Sequence, residues 1–378
     1  METPKTYNDS QIATLALTLI SGLGAVMVKQ LVAYTGSPES VFLSQKRVLS
    51  KIPGVGPAMI QNLLAEGDSA LKQAREEIEK LEKQGGRMWT YLDKDFPQRL
   101  KSVNDCPPVL FGKGNFDFEN PRILAVVGTR QATQYGKSAI EEFFADLKAY
   151  HPVIVSGLAY GIDISAHKVA LNQGIETWGV MATGIDSIYP AQHKSTAIQI
   201  QNHGGILTEN RIGTNPDAPR FPARNRIIAA LADAVWVVEA MEKGGALITA
   251  RLAQDYFRDV FALPGNIHQK TSLGCNRLIE QNQAGLALSG QQLAESLGWK
   301  LPGDKSENKT SKSRLRLNLN PEDQKILELF DLSNQSLHMD EIAWKTQIPI
   351  YELASQLLNL EFQGLVKSLP GKRFSAMP

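Results

Sequence analysis

Apolar residues along the chain follow two rhythms, and the change between them near residue 85 is the first sign of its organisation. Between residues 11 and 84 they recur at helical spacing, in IATLALTLI, AVMVKQLVAY, AMIQNLLA and AREEIEKLEKQ, which predicts a group of helices. From residue 88 onward compact apolar runs alternate with amphipathic stretches. The runs are ILAVVG, VIVSG, TWGVMA, GGILTE, AVWVVE and DVFALPG, each followed by a helical pattern. Strands that are apolar throughout are buried on both faces, so this part predicts a doubly wound, mainly parallel α/β sheet covered by helices on each side. The pattern stops near Trp299. Residues 300–318 are polar and lysine-rich and read as a linker. Beyond it, PEDQKILELF, HMDEIAWKTQ and IYELASQLLNLEFQ read as three helices, and LVKSLPGKRFSA as two strands turning at Pro370-Gly371. The expected domains are therefore 1–84, helical; 85–299, α/β; 300–318, linker; and 319–378, a small C-terminal module.

Composition narrows the classes. The 378 residues are 43% hydrophobic and 21% charged, which is ordinary for a chain with a sizeable core. Cys106 and Cys275 stand far apart with no CxxC or Cys/His cluster, so neither a disulfide framework nor a structural zinc site is expected. No segment reads as a signal peptide or membrane span, and we expect a cytoplasmic protein without metal or cofactor. With a formal net charge of +1, any polyanion must be held by a local patch rather than by the whole-molecule field.

The glycines mark where such a patch belongs. In the helical region SGLGAVMVKQ and KIPGVGPAMIQ place Gly22, Gly24, Gly54 and Gly56 ahead of new helices, in a pattern that resembles tandem helix-hairpin-helix motifs. In the α/β region, ligands sit beyond the carboxyl ends of the strands, and those ends are glycine-rich. Gly128, Thr129 and Arg130, continuing to Tyr135 and Gly136, follow the first strand; Ser156 and Gly157, continuing to Gly161, follow the second. Gly244 and Gly245, with Thr249, follow the fifth. Glycine lets a backbone approach an anion, and helix-start amides stabilise it. The segment RFPARNRIIAAL adds Arg220, Phe221, Arg224, Asn225 and Arg226, where arginines meet phosphates and Phe221 offers a stacking surface.

Other chemistries fit less well. GTRQATQYGKS ends in GKS, but seven residues separate Gly128 from Gly136, too many for a P-loop cradle, and no GxGxxG carries a distant acidic partner. Asp163 and His167, four apart in GIDISAH, read as a capping or core pair, and Cys275 as a small buried residue.

The motifs VVGTRQATQYG, VSGLAYGIDISAH, ATGIDSIYP, FPARNRIIAAL, VVEAMEKGGALITARLA and VFALPGNIHQKTSLGCNRLI, in this order across about residues 85–298, resemble the DNA processing protein A family, also called DprA or Smf. The resemblance implies an extended Rossmann-like domain that binds single-stranded DNA, dimerises, and helps to load a RecA-type recombinase onto incoming strands in natural transformation. It also implies that the glycine loops and Arg130, Arg224 and Arg226 contact phosphates, while Asn225 holds either the loop or a backbone oxygen. One departure is Tyr160, where family members often carry Lys or Arg.

The C-terminal module resembles a winged helix. Its third helix, residues 348–361, contains no Lys or Arg and includes Glu352 and Glu361, unlike a helix that reads a major groove. We therefore expect it mainly to contact protein or the domain's own dimer partner, with only Lys367, Lys372 and Arg373 of the wing touching DNA. Two alternatives stand beside the single-strand mediator. One is a phosphoribohydrolase of the lysine-decarboxylase-like type, whose PGGxGTxxE motif supplies a glutamate that EKGGALITA lacks. The other is a duplex-DNA repair scaffold using the helical hairpins.

Overall fold

A computed structural model describes residues 7–301, 321–333, 337–362, 365–369 and 373–376. Most of the linker expected at 300–318, and Pro370, Gly371 and Lys372 of the expected wing, lie outside the described residues. The chain divides into two compact units, Met1–Pro302 and Gly303–Pro378.

The first unit begins with helices α1 (Asp9–Leu19), α2 (Ala25–Thr35), α3 (Pro38–Leu43), α4 (Lys46–Leu49) and α5 (Pro57–Lys83). Asn8 opens α1 with a capping box: its side chain accepts the Gln11 amide while Gln11 returns the bond to the Asn8 amide. The glycine turns lie where the sequence places them, with Gly24 and Gly56 at the starts of α2 and α5. Gly22 and Gly54 have φ of +83° and +76°, the left-handed region that favours glycine. The hairpins are tied to their neighbours: the Ser21 amide donates to Glu66 at 2.9 Å, and the Gln30 side-chain amide to the Pro53 carbonyl at 2.7 Å.

There follow β1 (Arg87–Thr90), α6 (Gln98–Lys101), β2 (Val109–Gly114), β3 (Ile123–Val127), α7 (Gln134–Leu147), β4 (Val153–Ser156), α8 (Ile162–Gln173), β5 (Glu176–Val180), α9 (Lys194–Asn202), β6 (Gly204–Thr208), α10 (Arg220–Leu231), β7 (Ala234–Val237), α11 (Gly245–Asp255), β8 (Asp259–Ala262), α12 (Leu273–Glu280), β9 (Gly285–Leu286) and α13 (Gly290–Ser296). Nine strands form one sheet in the order β1-β2-β6-β5-β4-β3-β7-β8-β9. The seven from β6 to β9 run parallel, and β2 and β1 continue the β6 edge antiparallel. The six apolar runs are the six long parallel strands; β1, β2 and β9 were not anticipated.

Alternation along the strands sets the layers. Leu124 and Val126 of β3 pack toward α7, α8 and α13, while Ile123, Ala125 and Val127 pack toward α10, α11 and α12. The helical N-terminus shares its hydrophobic cluster with the sheet, where Leu15, Ile60 and Leu81 meet Met88, Phe111 and Ile206. The turn joining α5 to β1 falls at residues 84–86, so the change of rhythm is real, yet both sides build one core.

The second unit contains α14 (Pro321–Ser333), β10 (Leu337–His338), α15 (Met339–Thr346), α16 (Ile350–Phe362), β11 (Val366–Leu369) and β12 (Arg373–Ala376). Its strands pair antiparallel in the order β10-β12-β11, the arrangement of a winged helix. Among the described residues, no helix is long and apolar enough to cross a membrane.

Candidate nucleic-acid interface

The parallel sheet changes direction at β3. From there the chain moves outward through β4, β5 and β6, then returns to the other side of β3 with β7. The loops after β3 and β7 therefore leave the sheet beside each other and open a crevice at their carboxyl ends. A cleft of about 770 Å³ lies there. Its walls carry Gly128, Thr129 and Arg130 after β3, Phe221, Arg224 and Asn225 on α10, and Lys243, Gly244, Gly245 and Thr249 at the start of α11.

The glycines separate into two kinds according to what a side chain would meet. At Gly136 an added Cβ would lie 2.5 Å from the Glu239 carboxylate, and at Gly157 the same distance from the Arg224 guanidinium. At Gly128 it would strike Ile162, and at Gly161, whose φ is +78°, the Thr129 carbonyl. These four are small because protein atoms occupy the space. Gly244 has nothing within 4 Å, and Gly245 has only the Asn225 amide nitrogen at 3.9 Å. Of these six strand-end glycines, this pair, at the amino end of the 11-residue α11, leaves room for an incoming group. There the unsatisfied amides and the helix dipole favour an anion.

The expectation that Arg224 and Arg226 both grip phosphates is corrected. Residues two apart on a helix point about 200° away from each other, so both cannot face one cleft. Arg224 shares a face with Phe221 and Asn225 but is only 5% exposed. Its guanidinium donates to the Gly157 and Val180 carbonyls and its Nε to the Asn225 side chain at 3.2 Å. Burial lowers its pKa to about 10, opposed by the charge of buried Asp163; burial in turn raises the Asp163 carboxyl, opposed chiefly by Arg224. Arg224 therefore forms the floor of the cleft, its guanidinium held by the Gly157 and Val180 carbonyls. Arg226 points the other way, donating to the Asp105 carbonyl and forming an ion pair with Glu209. It does not line the cleft.

The remaining candidates also divide. The guanidinium of exposed Arg130 lies 5.5 Å from the Phe221 ring centroid, a cation–π arrangement that presents a charge and a flat surface together. Asn225 donates its side-chain amide to the Gly245 carbonyl at 3.4 Å and so ties α10 to the amino end of α11. Thr249 is buried and donates to the same carbonyl at 3.1 Å. Ser156 is fully buried, its hydroxyl donating to the Val126 carbonyl at 2.6 Å, and is no ligand for a solvent anion. Tyr135 donates to the Pro264 carbonyl at 2.5 Å and, with Gly136, lies outside the cleft lining. Arg220 is exposed but bonds Asn210 at 3.1 Å beside the cleft rather than in it.

Two further residues contribute, of which Tyr189 was not singled out from the sequence and Lys243 was noted only as part of the strand-end run Lys243-Gly244-Gly245. Tyr189 is 47% exposed, with its ring centroid 5.6 Å from that of Phe221, and widens the aromatic surface. Lys243, exposed and immediately before Gly244, adds a positive charge beside the open helix end. Its signal was its place next to the glycine pair. Tyr160 is 43% exposed, bonds Gln192 at 2.9 Å and borders a small recess shared with Tyr189, Phe221 and Arg130. Its ring extends the aromatic surface where the family often has a cation.

The supposed acid–base groups are structural. Asp163 faces Arg224, while His167 is completely buried with Nδ1 2.7 Å from the Thr177 hydroxyl. Cys106 and Cys275 are buried, which raises their thiol pKa values to about 11 and about 12. Among the described residues, no cluster of three or more His, Cys, Asp or Glu side chains is arranged to hold a metal.

Fold and cleft together define a doubly wound, Rossmann-like α/β protein with a basic, aromatic cleft at its switch point. Comparison with known proteins agrees. The profile of the DNA recombination-mediator protein A family matches residues 87–298, and that of the DprA winged helix domain residues 311–372. Protein Smf from Synechocystis is 33% identical, with 97% of this chain and 99% of that protein covered. The crystal structure of DNA processing protein A from Streptococcus pneumoniae superposes with a TM-score of 0.65 at 33% identity, covering 79% of this chain and all of that one. A Helicobacter pylori DNA processing protein A structure, described for its single-stranded DNA binding mode, gives a TM-score of 0.51 at 30% identity over 57% of this chain and 97% of that one. The chain belongs to the DprA/Smf family of DNA processing proteins.

Proposed function

We propose that this protein is a non-enzymatic binder of single-stranded DNA, and that it holds the strand in the cleft between α10 and α11. The observation that carries the reading is the open Gly244–Gly245 helix end, with Lys243 and Arg130 beside it and the Phe221 and Tyr189 rings across from it. A phosphate on the α11 amides leaves its neighbouring base within reach of those rings. Stacking of this kind is worth about 1–3 kcal/mol per base and demands no sequence. The relative from Helicobacter pylori, described as binding single-stranded DNA, supports the same reading. The test compares matched single- and double-stranded oligonucleotides by fluorescence anisotropy across salt. Preference for the single strand, with log affinity falling linearly with log salt, is expected. Equal or tighter duplex binding would overturn the proposal in favour of a duplex scaffold. Release of base from nucleoside monophosphates would favour the phosphoribohydrolase.

The finer role we propose is delivery of the strand to a RecA-type recombinase by a homodimer. Exposed apolar side chains at this edge of the sheet support the dimer: Leu286 and Leu288, in and beside edge strand β9, are 40% and 62% exposed, and Phe257, before β8, is 97% exposed. We further propose that the winged helix docks onto protein. Trp344 and Tyr351, near the turn between α15 and α16, are 74% and 76% exposed, where a DNA-reading helix would present Arg, Lys, Asn or Gln. Deleting residues 319–378 should leave single-strand affinity within about tenfold, and a greater loss would count against this assignment.

A further inference from the structure

The amino end of α7 follows the glycine loop after β3 as that of α11 follows the loop after β7, yet it is capped by Thr133 and a protein carboxylate lies against it. Glu239, in the segment leaving β7, is 1% exposed. Its Oε2 accepts the Thr133 amide at 2.8 Å, and its Oε1 accepts the Thr133 hydroxyl at 2.7 Å and the Thr271 hydroxyl at 3.2 Å. Thr133 is the residue that caps α7, accepting the Gly136 amide at 3.4 Å. The carboxylate thus sits against the cap of α7, accepting the amide and hydroxyl of Thr133, at the helix end where the dipole favours a negative charge. Gly136 is small because the same carboxylate lies where its Cβ would be.

We infer that Glu239 is a positioning residue: a built-in anion that closes the α7 end to phosphate and fixes the loop carrying Arg130 against the segment leading to Gly244. Two further bonds give the loop its register. The Glu239 carbonyl accepts the Thr129 amide at 2.7 Å, and the Thr129 carbonyl accepts the Ile162 amide at 3.1 Å. Arg130 therefore sits between Thr129, bonded to the Glu239 backbone, and Thr133, bonded to its side chain. With the α7 end occupied from within, the α11 end, which carries no side-chain cap, is left to a strand entering the cleft. This inference rests on the proposed single-strand reading for its consequence, but its structural half stands without it.

The test is anion rescue of Glu239→Ala in the full chain. Removing the side chain leaves a carboxylate-sized hole lined by Thr133 and Thr271, which formate fits and formamide does not serve. Single-strand affinity of the variant should drop by about tenfold, the order expected when one charged hydrogen-bonded group is removed. Sodium formate should raise its melting temperature by about 3 °C over sodium chloride of equal strength, once formate is about tenfold above its dissociation constant. It should also restore most of the lost affinity relative to chloride of equal strength, while the unmodified protein shows no difference between the two salts. A variant that formate does not stabilise beyond chloride would overturn the inference. If Glu239→Ala does not fold, Glu239→Gln and Thr133→Val serve. Each keeps the cavity filled, and each should weaken single-strand binding more than Tyr135→Phe, which lies outside the network; equal affinity among the three would overturn the inference. Should the unmodified protein fail to bind oligonucleotide while formate still stabilises Glu239→Ala, the single-strand reading falls and the internal anion stands.

Discussion

Arg130 and Lys243 are the two exposed cations on the rim of the cleft, so their removal isolates the electrostatic part of binding. Each phosphate contact on a single strand contributes about 0.7 to the slope of log affinity against log salt. The double variant Arg130→Ala/Lys243→Ala should therefore flatten the slope by about 1.4. Over a fourfold rise in salt that difference is about sevenfold in affinity: the unmodified protein should weaken about sevenfold more than the variant. Exposed side chains cost the fold little, within about 0.5 kcal/mol, so the melting temperature should barely move. Anisotropy of a labelled oligothymidine titrated at four or more salt concentrations measures the slope, and thermal unfolding checks the fold. A slope that does not change in the double variant would refute the idea that these two groups neutralise phosphates. A changed slope with an unfolded variant would refute the claim that both are surface groups.

The other predictions follow from the same geometry. Arg226→Ala should leave the slope unchanged but cost roughly 2–3 kcal/mol in urea unfolding, because it strands Glu209 without its partner. Gly157→Ala should destabilise the protein by forcing Arg224 to move, whereas Gly244→Ala should fold normally and lose affinity, since its methyl enters only the space a phosphate would use; equal stability of the two variants would contradict the division of the glycines. Burial lowers the His167 imidazole from 6.5 to about 3, so its contribution to stability is fully present above pH 6.5 and is lost as pH falls from 6.5 toward 3. At about 1.4 kcal/mol per pH unit this is roughly 2 kcal/mol between pH 6.5 and 5, and His167→Asn should remove that part of the acid sensitivity in urea titrations.

The parallel sheet was legible because ILAVV, VIV and AVWV are apolar at every position, which only a strand buried on both faces requires. The antiparallel edge was not, because RMWT is short and mixed, and VLFGKG ends in glycine and lysine. β9 has two exposed residues and no pattern to read. At the cleft, the crevice and the α11 loop followed from strand-end glycines, but a glycine looks the same whether the space beside it holds Glu239, Arg224 or solvent. That distinction comes from packing between segments more than sixty residues apart, as Gly157 and Arg224 illustrate. The fate of Arg226 was within reach of the sequence, since helical geometry alone turns it away from Arg224. The partner awaiting it, Glu209 on the far side of α10, was not.

The central claim is that the strand's phosphates meet the protein at the α11 amides and not at those of α7. Backbone amide shifts of Gly244, Gly245 and Gly136, followed by nuclear magnetic resonance as an oligothymidine is added, address it directly. Gly244 and Gly245 should shift strongly downfield and saturate with the binding isotherm, while Gly136, already bonded to Thr133, stays in place. Movement of Gly136 with Gly244 and Gly245 silent would contradict the account.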